Sequence, residues 1–241
     1  MEHRYFTTSD GVKLHYGVFG EGKRPLVCLP GWGCPVDNMA QAAEALSGSR
    51  TVYALDYRWH GLSESPEGGW HTERLALDLR EMLADAGIGE FDLWGHSMGN
   101  AVGWCYMELF GQEGIGRYVL EEEGPCLVSD PDWSEEDCLR FRGTMDWPSY
   151  PPALPGMPEM PAQMRDLFHD HVGRDWRAEI PTIKLPTLML YGTSSHFGEP
   201  ALWQWMQESI AGSKLVTMDG GHNLHVDCRD EFVAAVRDFL A

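Results

Sequence analysis

The sequence contains no uninterrupted apolar run approaching the roughly 20 residues that a membrane span needs. Its first eight residues lack the apolar stretch of a secretion signal. Basic residues are scarce: 18 Lys plus Arg stand against 37 Asp plus Glu, for a net charge of −19. A surface that acidic repels phosphate backbones and anionic lipid, which argues against nucleic-acid and membrane partners. Cys28, Cys34, Cys105, Cys126, Cys138 and Cys228 form no C-x-x-C pair and no zinc-like spacing. Four of them read as small core residues, while Cys34 and Cys126 follow expected strands that face the candidate site. No internal repeat or low-complexity tract is visible. The expectation is a cytoplasmic protein, monomer or homodimer, with no cofactor and no metal.

What is present is enough for one domain. The chain has 241 residues, 43% of them hydrophobic, which suits a single full-sized core. Short apolar runs at 5–8, 13–19, 25–29, 51–55, 91–94, 117–121, 187–191 and 214–218 read as strands. The first two flank Ser9-Asp10-Gly11, a hairpin turn. Helical patterns at 37–46, 72–86, 98–110, 200–211 and 231–240 alternate with the strands. In the second, Leu75, Leu79, Met82, Leu83 and Ala86 share a stripe, and Gly87 and Gly89 end it. This alternation predicts an α/β fold, a mostly parallel eight-stranded sheet with helices on both faces.

Residues 126–183 break the rhythm. Proline at the density of Pro148, Pro151, Pro152, Pro155, Pro158 and Pro161 does not fit a sheet. Trp147, Tyr150, Met157, Met160, Phe168 and Trp176 need burial, so the segment reads as a cap inserted into a core made of 1–125 and 184–241.

Gly95-His96-Ser97-Met98-Gly99 matches G-x-S-x-G and sits where an apolar strand runs straight into a helix. A serine on so sharp a turn presents its hydroxyl, and the helix N-terminus behind it favours developing negative charge. Gly95 and Gly99 must be small because a side chain there would strike the strand or the helix. Such a serine needs an imidazole to take its proton. His222, in Gly220-Gly221-His222-Asn223 between the last strand and the last helix, stands in the right order. Among the other histidines, His96 lies inside the motif and is expected to point away, and His60 shapes a loop. His169 and His171 are surface or pocket residues of the cap. Neither these nor His222 and His225 find a convincing third metal ligand.

Leu29-Pro30-Gly31-Trp32, residues 56–63 (Asp-Tyr-Arg-Trp-His-Gly-Leu-Ser), the Ser97 motif, residues 188–192 and Gly221-His222 together resemble the α/β-hydrolase superfamily over nearly the whole chain. The resemblance implies the fold and a Ser–acid–His triad, but no substrate. Its usual acid position, three residues after Gly192, holds Ser195, which cannot carry a charge. Glu121, Glu122 and Glu123 at the end of the preceding strand are the available carboxylates. Residues 117–125 resemble an esterase and lactonase-like branch whose acid stands in register with Glu122, and the other two glutamates are then expected to be solvated. The resemblance also implies an oxyanion hole from the backbone N–H groups of Met98 and Trp32.

The leading expectation is a serine hydrolase acting on a carboxylic ester or lactone of a mainly apolar or aromatic small molecule. Pro30-Gly31-Trp32 and the acid after the sixth strand also resemble the cofactor-free dioxygenases of hydroxyquinolones, although Met98 stands where those enzymes carry histidine. A third alternative is a non-catalytic ligand receptor on the same scaffold.

Overall fold

A computed structural model of the chain describes residues 1–126, 161–195 and 200–241. The strands are β1 (Glu2–Thr7), β2 (Lys13–Phe19), β3 (Arg24–Leu29), β4 (Arg50–Asp56), β5 (Phe91–His96), β6 (Ile115–Glu121), β7 (Thr187–Gly192) and β8 (Lys214–Met218). Among the described residues they form one eight-stranded sheet in the order β1-β2-β4-β3-β5-β6-β7-β8. Only the pairings of β2 with β1 and with β4 are antiparallel; β4 through β8 run parallel. All six residues of β5 are buried, as a central strand covered on both faces requires. β1, at the sheet edge, buries only Phe6.

The helices are α1 (Val36–Leu46), α2 (Thr72–Asp85), α3 (Met98–Phe110), α4 (Ala162–Val172), α5 (Pro200–Ser209), α6 (Leu224–Asp227) and α7 (Arg229–Leu240). Apolar residues of α2, α3, α4 and α5 build one core on one face of the sheet. Those of α1, α6 and α7 build a second core on the other. In α2 the expected stripe holds: Leu75, Leu79, Met82 and Leu83 are buried, and Ala86 caps the helix. Gly87 follows at φ +68°. Its N–H donates to Ala84 O at 3.2 Å and that of Ile88 to Leu83 O at 2.9 Å, a left-handed terminus that favours glycine. Asp78 shares the buried stripe and is matched by the equally buried Arg58 at 2.8 Å and by Arg74 at 2.6 Å. Removing one partner would strand a buried charge.

The expected cap lies between β6 and β7. Residues 127–160, with Cys138, Trp147, Tyr150, Met157 and Met160, lie outside the described residues. In the described part, Phe168 and Trp176 are buried, and α4 packs Leu167, Phe168 and Val172 into the same core as α2 and α3. The C-terminal ends of β3 and β5 to β8 meet at one edge of the sheet, the edge where open α/β sheets bind ligands.

Candidate active site

Ser97 joins β5 to α3 with φ +50° and ψ −130°. A non-glycine residue rarely holds such a conformation unless the surroundings enforce it. The enforcement is visible. The Ser97 N–H donates to Glu121 O at 3.0 Å, and the Asn100 N–H donates to Ser97 O at 2.8 Å. The Asn100 side chain donates to Glu121 O at 2.8 Å and accepts from the Tyr118 hydroxyl at 2.7 Å. The two flanking glycines are obligatory. A Cβ on Gly99 would sit 2.0 Å from Leu29 O, and one on Gly95 would sit 2.4 Å from the Asn100 side chain.

Glu122 follows the last residue of β6 and also has positive φ, +54°. This bend swings its carboxylate under the loop that carries His222. Oε2 lies 3.2 Å from His222 Nδ1. Oε1 accepts the Gly192 N–H at 2.5 Å, and the Ser195 hydroxyl donates to Oε2. Ser195, three residues after Gly192, thus holds the Glu122 carboxyl group in place. Burial pushes the Glu122 carboxyl up to about 8, against the pull of Ser195 and Gly192. Burial lowers the His222 imidazole to about 4, against the pull of Glu121. The imidazole is therefore kept neutral, as a proton acceptor must be, while the Glu122 carboxyl ionises only near pH 8, where both members of the pair reach the forms that proton transfer needs.

The expectation that two of the three glutamates are solvated is corrected: Glu121, Glu122 and Glu123 are all 0–1% exposed. Glu121 is the final residue of β6 and faces inward. Its Oε1 accepts both the backbone and the Nδ1 N–H of His225, at 2.9 and 2.8 Å, and Oε2 accepts Trp94 Nε1 at 2.9 Å. Burial raises this carboxyl, but His225 and His96 outweigh it and hold Glu121 at about 2. His225 is raised by the same pairing. An ionised Glu121 thereby clamps the turn that carries His222. His96 is corrected too. It does not merely point away, because its Nε2–H donates to His222 O at 2.9 Å and its ring lies 5.0 Å from that of His222. Potential ligand atoms of His96, Glu121 and His225 lie within 4.8 Å of one another. Spacing had concealed that trio, although both Glu121 oxygens are already engaged. Glu123 points the other way, towards α4, with His171 Nε2 3.7 Å from its Oε2.

The loop after β3 packs against the serine turn. A Cβ on Gly31 would meet Ser97 Cβ at 3.1 Å, which brings the Trp32 backbone beside the serine. His60 braces this loop, as expected of a shaping residue: its Nδ1–H donates to Arg58 O and its Nε2 accepts the Gly33 N–H at 2.9 Å. The Trp32 side chain reaches α4, donating to Met164 O at 2.9 Å and meeting the Phe168 ring edge-on at 5.0 Å. Cys34 is half-buried and Cys126 buried, and burial raises the Cys34 thiol, so it is a poor nucleophile. A hollow of about 510 Å³ at the opposite ends of β3, β5 and β6 contains none of these residues.

The Alpha/beta hydrolase family model matches residues 26–235. The chain belongs to the alpha/beta hydrolase family. Serine hydrolase BPHL of Mus musculus is 26% identical over 247 residues, covering 96% of this chain and 84% of the relative. The N-formylmaleamate deformylase of Pseudomonas putida is 26% identical over 265 residues, covering 97% of this chain and 94% of the relative. Among solved structures, the enol-lactonase of Burkholderia xenovorans is similar with a TM-score of 0.76 and 26% identity, over 98% of this chain and 99% of that one. This alpha/beta hydrolase thus has lactonase- and deformylase-type relatives, which supports hydrolase chemistry.

Proposed function

We propose that the protein is a serine hydrolase cleaving a carboxylic ester or lactone of a mainly apolar small molecule, with Ser97, His222 and Glu122 as its triad. The observation that carries this reading is the Glu122–His222 pair at 3.2 Å, set beside a serine held at φ +50°. With Nδ1 turned to Glu122, Nε2 is the nitrogen left to take a proton. In the proposed reaction Ser97 Oγ attacks the carbonyl carbon as its proton passes to His222 Nε2. The tetrahedral oxyanion lies on the N–H groups of Met98 and Trp32, and losing one such donor typically costs about 2.7–4 kcal/mol of transition-state stabilisation. His222 then returns the proton to the leaving alkoxide. Water, deprotonated by the same imidazole, releases the acid from the acyl-enzyme. The half-buried Trp32 ring, packed against Phe168 in the loop beside the serine turn, favours an apolar substrate.

Turnover of short p-nitrophenyl esters tests the reading. The wild type is expected to release p-nitrophenolate with a pre-steady-state burst. Ser97→Ala is expected to fall at least about a thousandfold, and unchanged turnover in that variant would refute the assignment.

A further inference from the structure

Glu123 takes no part in the triad, yet it is 1% exposed and neither carboxyl oxygen has a hydrogen bond of normal geometry. Buried carboxyl groups are ordinarily partnered. Directly opposite, on α4, His171 is 5% exposed and its Nδ1 also lacks a partner. The two side chains face each other across 3.7 Å, too far for a direct hydrogen bond. The site lies beside the nucleophile: the Ser97 hydroxyl and the Gly124 N–H are near enough to Glu123 to oppose the rise that burial imposes on its carboxyl. Burial in turn lowers His171 to about 4. Burial thus disfavours the charged form of both groups, and in its uncharged form each offers one donor and one acceptor.

Resting on the Ser97 hydrolase reading, we infer that Glu123 and His171 form a polar subsite that selects esters bearing a neutral group able to donate and accept hydrogen bonds, a hydroxyl or a carboxamide, close to the scissile bond. Such a group would give the orphaned Glu123 oxygens a partner and meet His171 Nε2, the ring nitrogen that faces them. A methyl in its place would leave the Glu123 carboxyl buried without a partner, which makes discrimination strong. The paired alternative, a carboxylate awaiting an ammonium group, suits the site less well, because burial disfavours the ionised form of Glu123.

Matched ester pairs test the inference. Purified enzyme is assayed with p-nitrophenyl 3-hydroxybutanoate, 3-methylbutanoate and 3-aminobutanoate, and with 2-hydroxyethyl and propyl benzoate. The wild type is expected to favour the hydroxyl-bearing member of at least one pair by about tenfold or more in kcat/KM. Glu123→Gln, which keeps a donor and an acceptor, is expected to retain the preference. Glu123→Leu and His171→Leu are expected to bring the ratio close to one through a loss on the hydroxyl ester. A variant that is merely damaged would lose both esters alike and keep the ratio, which would overturn the inference. So would absence of preference in the wild type, loss of preference in Glu123→Gln, or preference for the aminobutanoate. Cleavage of the alkyl esters without preference overturns only this subsite, whereas failure to cleave any ester overturns the hydrolase reading with it.

Discussion

Replacing Glu122 with glutamine changes one oxygen for an amide and should remove most of the catalytic power. Three donors converge on the Glu122 carboxylate: the Gly192 N–H at 2.5 Å, the Ser195 hydroxyl, and His222 Nδ1 at 3.2 Å. Glutamine has a single acceptor oxygen. The Gly192 N–H is a backbone group at a buried strand end and keeps that oxygen, since leaving it unsatisfied costs about 1–3 kcal/mol. The NH₂ then faces His222 Nδ1 and obliges it to accept. The imidazole proton moves to Nε2, the nitrogen that must take the proton of Ser97. A neutral substitution that imposes the wrong tautomer lowers kcat by about 10⁴ in a triad of known mechanism, equivalent to about 5.4 kcal/mol. The expected result here is a fall in kcat of about 10³–10⁴ on a p-nitrophenyl ester, with little change in KM. Thermal melting run in parallel should show a folded enzyme. A variant retaining more than about a tenth of wild-type kcat would show that Glu122 does not govern His222.

The Ser195 hydroxyl stabilises the ionised form of Glu122, so Ser195→Ala should raise that carboxyl further. The working form has Glu122 ionised and His222 neutral, and the acid limb of kcat/KM should therefore move to higher pH by about half a pH unit to one; an unmoved or lowered limb contradicts the pairing. Gly99→Ala would place a Cβ 2.0 Å from Leu29 O and 2.9 Å from Pro30 O. Neither backbone group can yield cheaply, so the variant should lose about 3 kcal/mol or more, or fail to fold, as read by thermal melting against wild type.

The fold was legible because two periods alternate along the chain. The α2 stripe of Leu75, Leu79, Met82 and Leu83 and the mostly apolar runs of β5 and β7 need no tertiary information. Boundaries shifted by a few residues where polar ends pair in the sheet: β1 begins at Glu2, three residues earlier than its apolar run. The placement of Ser97 at a strand-to-helix turn and of His222 after β8 was legible from motifs tied to strand ends. The fates of the three consecutive glutamates were not. Their surroundings are set by the +54° bend at Glu122 and by His225, Gly192 and His171, which come from 48 to 104 residues downstream. Charge in a row usually marks a solvated loop. A buried strand ending in such a row, with the usual acid position vacant at the next strand end, is the signal that pointed to the row, and the resemblance picked Glu122 from it. Nothing local signalled that Glu121 would anchor the histidine loop, because Trp94 and His225 share no spacing with it.

Trapping the acyl-enzyme tests the central claim most directly. Wild-type protein is mixed with excess of a slowly released p-nitrophenyl ester, quenched in acid within milliseconds to seconds, and measured by intact and peptide mass spectrometry. One acyl group is predicted, on the peptide containing Ser97, and none on Ser97→Ala. An acyl group on any other residue, or full turnover with no adduct at Ser97, would contradict the account.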